Sequence, residues 1–179
     1  VNDRQLLNGL AEKFGIGEAE TGKFYRALDK IGKAYGNAAE AMRAAGISNP
    51  ELEKFYGDIE GEGNKKIIEM AGELLGKEAV VNLEKIIEYS KPYGTEKNIV
   101  VDLSLVRGLD YYTGPIFEIV PGDERLSIAG GGRYDGLIGM YGKVSEPAVG
   151  ISLGIERIAE LIKLPEKKAK RAVVVGIGD

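Results

Sequence analysis

Along this 179-residue chain the spacing of apolar residues changes once, near residue 90, and that change restricts the fold more than any other feature. Before it, apolar residues recur at helical spacing. Leu6, Leu7, Leu10 and Phe14 form one stripe, and Phe24, Leu28 and Ile31 a second. Ile67, Ala71, Leu74 and Leu75 form a third, and Val80, Leu83, Ile86 and Ile87 a fourth. Asp3 is placed to cap the first helix and Gly15 to stop it, while the alanine-rich "NAAEAMRAAG" favours a helix that ends at Gly46. Such stripes are what core packing requires.

After residue 90 the period becomes two. Ile99, Val101, Leu103 and Leu105 alternate with Val100, Asp102, Ser104 and Val106, which predicts a strand. "PIFEIV" and "RLSIAG" predict two more, separated by a "PGDE" turn. A short helix is expected from Tyr134 to Tyr141, then a strand "AVGISLG" and a helix "IERIAELIKL" that stops before Pro165. "PEKKAKR" reads as a charged linker whose Lys167, Lys168, Lys170 and Arg171, with Lys163, suit a solvated hinge, and "AVVVGIGD" as a buried strand. A helical half followed by strand hairpins is the signature of an α+β fold with an antiparallel sheet.

Composition narrows the chemistry. No apolar run approaches the length of a membrane helix, so the chain reads as soluble. It contains no histidine and no cysteine, which removes the Ser-His-Asp triad, thiolate nucleophiles, disulfides and the commonest zinc ligands. A net charge of −4 argues against a broadly basic, nucleic-acid-coating surface. The opening "VNDRQLLNGL" has neither a start methionine nor a signal-peptide pattern and reads as an internal segment. Chemistry here must come from Arg, Lys, carboxylates, Tyr, backbone amides or an imported metal.

Three polar, glycine-rich clusters lie in the strand half: "VRGLDYYTG", "AGGGRYDGL" and "VGISLGIERI". Each has a plain explanation by itself. Gly130 to Gly132 suit a turn, a bulge or close backbone approach, Asp135–Gly136 suits a turn, and Glu156 suits the first turn of a helix. None matches a phosphate loop, and "VVVGIGD" lacks the third glycine and the helix of a dinucleotide-binding turn.

Taken together, in order and spacing, they resemble the histidyl-tRNA synthetases, a family of class II aminoacyl-tRNA synthetases. "RGLDYYTG" looks like that family's first histidine-specific motif, "GGGRYDGL" like its second, and "GISLGIERI" is similar to class II motif 3, with a serine–leucine pair widening the glycine spacing. "VNDRQLLNGL" and "FYRALDKIGK" resemble the segments that follow class II motif 2. The resemblance implies residues 1–35 as catalytic-domain segment and 36–90 as helical insertion domain. Residues 91–164 would form the catalytic core, and 165–179 a linker with the first strand of an anticodon-binding domain.

It further implies a cytoplasmic enzyme of protein biosynthesis that activates histidine with ATP and passes the adenylate to tRNA(His), as a homodimer when intact. Mg2+ would accompany ATP, without ligands assigned in this chain. Arg107 would meet the α-phosphate as the catalytic residue. Leu109, Tyr111, Tyr112, Gly130, Gly131, Gly132 and Tyr134, with Arg107, would receive histidine, and Gly154 and Arg157 would contact ATP. Motifs 1 and 2 are absent, so the segment alone is expected to be inactive. The rival reading is the non-catalytic, synthetase-like regulatory subunit of ATP phosphoribosyltransferase. One geometric constraint stands apart from the resemblance: Arg107 and Tyr112 have opposite parity, so the chain must bend between them for both to face one pocket.

Overall fold

The computed structural model of the chain describes residues 1–31, 33–107, 111–122, 126–142 and 144–162. Among these, a helical half precedes a four-stranded antiparallel sheet of order β1-β2-β3-β4. A two-residue strand β1 (Asn2–Asp3) leads directly into α1 (Arg4–Lys13). Then follow α2 (Glu18–Asp29), α3 (Ala38–Ala44), α4 (Pro50–Ile59), α5 (Asn64–Leu75) and α6 (Val81–Ser90). The sheet is completed by β2 (Pro115–Ile119), β3 (Ala129–Arg133) and β4 (Val149–Leu153), with α7 (Leu137–Tyr141) before β4 and α8 (Ile155–Leu161) after it.

Local chemistry sets the helix ends. The Asp3 carboxylate accepts from Gln5 N at 2.7 Å, capping α1 as its sequence position implies, and Gly15 takes the left-handed conformation (φ 67°) just past the helix. Asn37 and Asn49 cap α3 and α4 in the same way. The fourth helix begins with Pro50 in its first turn behind that asparagine cap. It buries Leu52, Phe55, Tyr56 and Ile59.

One core joins the two halves. Leu6, Leu7 and Leu10 of α1 belong to the same buried cluster as Phe24, Leu28, Met42, Leu52 and Leu83, and the cluster continues through Val101, Leu103 and Val106 to Tyr112 and Ile116 on the sheet. By contrast, β4 is an edge strand whose Val149, Ile151 and Leu153 are exposed.

The strand expected over 99–106 does not form. Asp102 folds the chain back instead, its Oδ1 accepting from both Ser104 N (2.8 Å) and Ser104 Oγ (2.6 Å), while Leu105 N bonds Asp102 O (3.1 Å). The alternation is real as burial, since Val101 and Leu103 are both inside, but the backbone pairs with side chains and with the main chain of Val1 alone, which donates to Val100 O (2.6 Å) and accepts from Asp102 N (3.0 Å), rather than with a strand along its length. The strand expected from "RLSIAG" starts later, at Ala129, and the three glycines are themselves its interior. The helix expected from Tyr134 begins at Leu137. The final expected strand and the basic linker from Lys163 onward lie outside the described residues.

Candidate functional site

The stretches on either side of residues 108–110 are both held by the start of the chain. Asn2 Nδ2 donates to Leu105 O (2.9 Å), and Arg4 Nη2 to Val106 O (3.0 Å) and Arg107 O (2.9 Å). On the other side, Arg4 N donates to Gly114 O (2.9 Å) and Gln5 Nε2 to Thr113 O (3.0 Å). Arg107, at one end of the stretch that the opposite parity of Arg107 and Tyr112 requires to bend, departs from strand geometry itself. At φ 51° it is the one non-glycine residue with positive φ among the described residues, a conformation that a side chain adopts only at a free-energy cost.

The bend lays the guanidinium of Arg107 on the sheet. Its Nη1 donates to Glu118 Oε1 at 2.8 Å, and a Cβ at Gly130 would collide with the same guanidinium. Register explains the arrangement. Glu118, Gly130 and Ser152 lie opposite one another across β2, β3 and β4, as do Ile116, Gly132 and Gly150 one step along the same face. A Cβ at Gly132 would come within 2.7 Å of Tyr112 Cδ1 and 2.8 Å of Pro115 O, and one at Gly150 within 3.0 Å of Tyr134 Cε1. The floor is bare because side chains stand directly on it. Gly131 points to the opposite face, where a Cβ would strike the Gly150 carbonyl and lie 2.9 Å from Phe117 Cζ.

Three tyrosines cluster over the Gly132 end. Ring centroids lie 4.7 Å apart for Tyr111–Tyr112, 5.6 Å for Tyr111–Tyr134 in an edge-on arrangement, and 6.4 Å for Tyr112–Tyr134. Tyr134 is fixed through its backbone N–H to Ala148 O (2.8 Å), and Thr113 Oγ1 accepts from Asp135 N (3.0 Å). The Tyr111 phenol titrates above its usual value, first because its side chain hydrogen-bonds that of Tyr112. At the other end of β3, Arg157 Nη1 donates to Ser127 O (2.6 Å), and Gly154 N to Ile128 O (2.7 Å). The site therefore has polarity along β3: guanidinium groups toward its start, phenol rings toward its end.

Arg107, Tyr111, Tyr112, Tyr134, Gly130 and Gly132 thus come together around one sheet face, with Gly131 in the same strand but turned to the other face. Gly154 and Arg157 stand at the Ser127 end, and Leu109 lies outside the described residues. The sequence reading missed Glu118, Asn2, Arg4 and Gly150. Glu118 carried a usable signal, a carboxylate inside the apolar run "PIFEIV" at the same parity as buried Ile116. Asn2 and Arg4 carried none, because their partners are backbone carbonyls about a hundred residues away in sequence.

Comparison with known proteins bears on the family. The family profile described as histidyl-tRNA synthetase matches residues 1–158. The histidine–tRNA ligase of Aeropyrum pernix is 38% identical over 89% of the chain, and the cytoplasmic histidine–tRNA ligase of Dictyostelium discoideum is 36% identical over 97%. The chain spans 38% of the length of each of these relatives. Among solved structures, a histidyl-tRNA synthetase from a Nostoc species superposes with a TM-score of 0.73 at 29% identity, over 89% of this chain and 40% of that one. A Bacillus halodurans protein described as an ATP phosphoribosyltransferase regulatory subunit/histidyl-tRNA synthetase shares the fold, with a TM-score of 0.75 at 24% identity, over 91% of this chain and 43% of that one. From the matched profile and these relatives, the chain belongs to the histidyl-tRNA synthetase family.

Proposed function

We propose that this chain is the part of a histidine–tRNA ligase that binds histidine and stabilises its activation by ATP. In this reading a histidine carboxylate oxygen attacks the α-phosphorus of ATP, a P–O bond forms, the bond to pyrophosphate breaks, and histidyl-adenylate results. The adenylate is then passed to tRNA(His). No covalent protein intermediate is needed, which suits a chain without histidine or cysteine. The requirement is donors held in place where charge grows on the phosphoryl oxygens.

The observation that carries the reading is Arg107 laid on Gly130, on the same sheet face as the tyrosines around Gly132. A guanidinium offers five donors in a planar fork, and the bond to Glu118 uses one of them. Tyr112 and Tyr134 would bound the imidazole, each supplying a ring and a hydroxyl. Gly131 would keep β3 close to β4 beneath that floor, and Leu109 would close the histidine side. Arg157, with Gly154 at the start of α8, would lie on ATP. The nucleotide arrives as its magnesium complex. Among the described residues, the carboxylate on this part of the floor, Glu118, is bound to Arg107, so these residues fit the phosphate better than the metal. Residues 36–90 would serve as the insertion domain and the intact cytoplasmic enzyme as a homodimer.

The test is adenylate formation in the full-length protein. Arg107→Ala should slow the chemical step about a hundred- to a thousandfold, the cost of one preorganised donor, with smaller changes in histidine and ATP affinity. Arg107→Lys should recover only part, because an ammonium lacks the fork. Single-turnover kinetics separates the two quantities. An unchanged chemical rate in Arg107→Ala would overturn the role of Arg107, whereas histidine binding with no adenylate formed by the wild-type protein would favour the regulatory-subunit reading, in which the pocket binds histidine without activating it.

A further inference from the structure

We infer that Arg4 is a positioning residue for Arg107: it fixes the left-handed turn that lays the Arg107 guanidinium on Gly130, and ties together both stems of the loop that carries Tyr112. The inference rests on the reading of Arg107 as the phosphate-facing group.

Arg4 is buried, at 6% exposure, where a charged side chain is costly unless its donors are satisfied. Its Nη2 spans the carbonyls of Val106 and Arg107, the two peptide groups on which the turn is built. Its backbone N–H holds Gly114 O, where the loop re-enters the sheet as β2. One residue therefore grips both ends of the loop. The guanidinium is oriented from behind by the Tyr25 ring, 4.9 Å from its carbon, and the Tyr25 hydroxyl in turn bonds Asn8 on α1.

The carbonyls explain why a nitrogen carrying two hydrogens is required, since Nη2 alone serves both. A residue at φ 51° turns its own carbonyl and the preceding one out of line with any strand ladder, so neither can be satisfied by sheet pairing. Arg4 reaches both, and Asn2 takes the next one back, Leu105 O. Without these donors the chain would relax toward an ordinary negative φ. The Arg107 side chain would then swing off the bare patch above Gly130 and away from Glu118. Arg4 touches neither reacting group in this account. Its effect passes through the backbone of Arg107.

The experiment is single-turnover adenylate formation in the full-length protein carrying Arg4→Met, Arg4→Lys, Arg107→Ala and the double variant Arg4→Met/Arg107→Ala. Arg4→Met keeps the apolar stem but removes the donors. It should slow the chemical step by about a hundredfold, as a misplacement on the order of 1 Å does, while dissociation constants for histidine and ATP stay within about threefold. Arg4→Lys, whose ammonium ends one bond short of the position of Nη2, should lose about tenfold with an unchanged melting temperature. In the Arg107→Ala background, Arg4→Met should cost almost nothing further, because there is no longer a guanidinium to place.

A full additional loss in that background would overturn the positioning role and make Arg4 a general stabiliser. So would a wild-type chemical rate in Arg4→Met. If Arg4→Met does not fold, Arg4→Lys alone decides, and a wild-type rate there overturns the role. A chemical rate untouched by Arg107→Ala would overturn the reading of the site itself, and the positioning role with it. A loss in Arg107→Ala with none in Arg4→Met overturns the positioning role alone.

Discussion

Gly130 and Gly132 sit one strand repeat apart on the same face of β3, yet adding a methyl group to each should have opposite consequences. At Gly130 the new Cβ meets the far end of the Arg107 side chain, which can swing aside. At Gly132 it meets Pro115 O at 2.8 Å and Ile116 Cγ2 at 2.9 Å as well as the Tyr112 ring, and backbone cannot swing. Gly130→Ala should therefore leave the folded state nearly as stable as before but displace Arg107, with a loss of adenylation rate on the order of a hundredfold in the full-length protein. Gly132→Ala should destabilise the fold by about 1–3 kcal/mol, as overpacking does. Urea denaturation and single-turnover kinetics on the two variants check the contrast, which fails if both lose stability equally. The need for glycine here was legible in the run "AGGGR" as close backbone approach. Which side chain each glycine clears was not, because that depends on the register with β2 and β4.

The first element shows how far local rules reach. Asp3 as the cap of α1 follows from its place before a leucine stripe, and the structure bears this out. That the same residue belongs to a strand paired with Pro115 could not be seen, since two residues carry no periodicity. The pairing has an electrostatic cost. Burial raises the Asp3 carboxyl above its ordinary 3.8, outweighing the hydrogen bonds from Asn82 and from the backbone of Gln5 and Leu6. The folded state thus binds the proton more tightly than the unfolded state does. The stability contributed by protonated Asp3 is complete below pH 3.8 and is lost as pH rises through the raised folded value. Asn at the same position caps a helix about as well as Asp and cannot ionise. Asp3→Asn should then gain stability relative to wild type as pH is raised from about 3 to 7, as measured by urea unfolding at several pH values. A difference flat with pH would mean that burial does not dominate at this carboxylate.

Across the whole molecule the helical half and the sheet half meet along residues 99–107, and there the sequence misled for a physical reason. A period of two reports which side chains are buried, not what the backbone bonds to. Here Asn64 Nδ2 donates to Ile99 O (2.7 Å), Asn64 Oδ1 accepts from Val101 N (2.8 Å), and the buried Tyr56 hydroxyl donates to Leu103 O (3.1 Å). With Asn2 and Arg4 holding 105–107, side chains from α4, α5, β1 and α1, together with the main chain of Val1 at Val100 O and Asp102 N, take the place of a partner strand. Such a segment should transmit damage to both halves. Asn64→Ala removes two bonds and orphans the N–H of Val101, a residue only 2% exposed, so it should cost about 1–3 kcal/mol. Tyr56→Phe, which removes one donor to a carbonyl, should cost about 0.5–1.5 kcal/mol. Hydrogen exchange separates a structural link from a loose connection. If the link is real, Asn64→Ala lowers protection of the slowest amides in α4 and α5 and in β2 and β3 by the same free energy, within one cooperative transition. If only residues 99–105 exchange faster, the segment is a local appendage and does not couple the two halves.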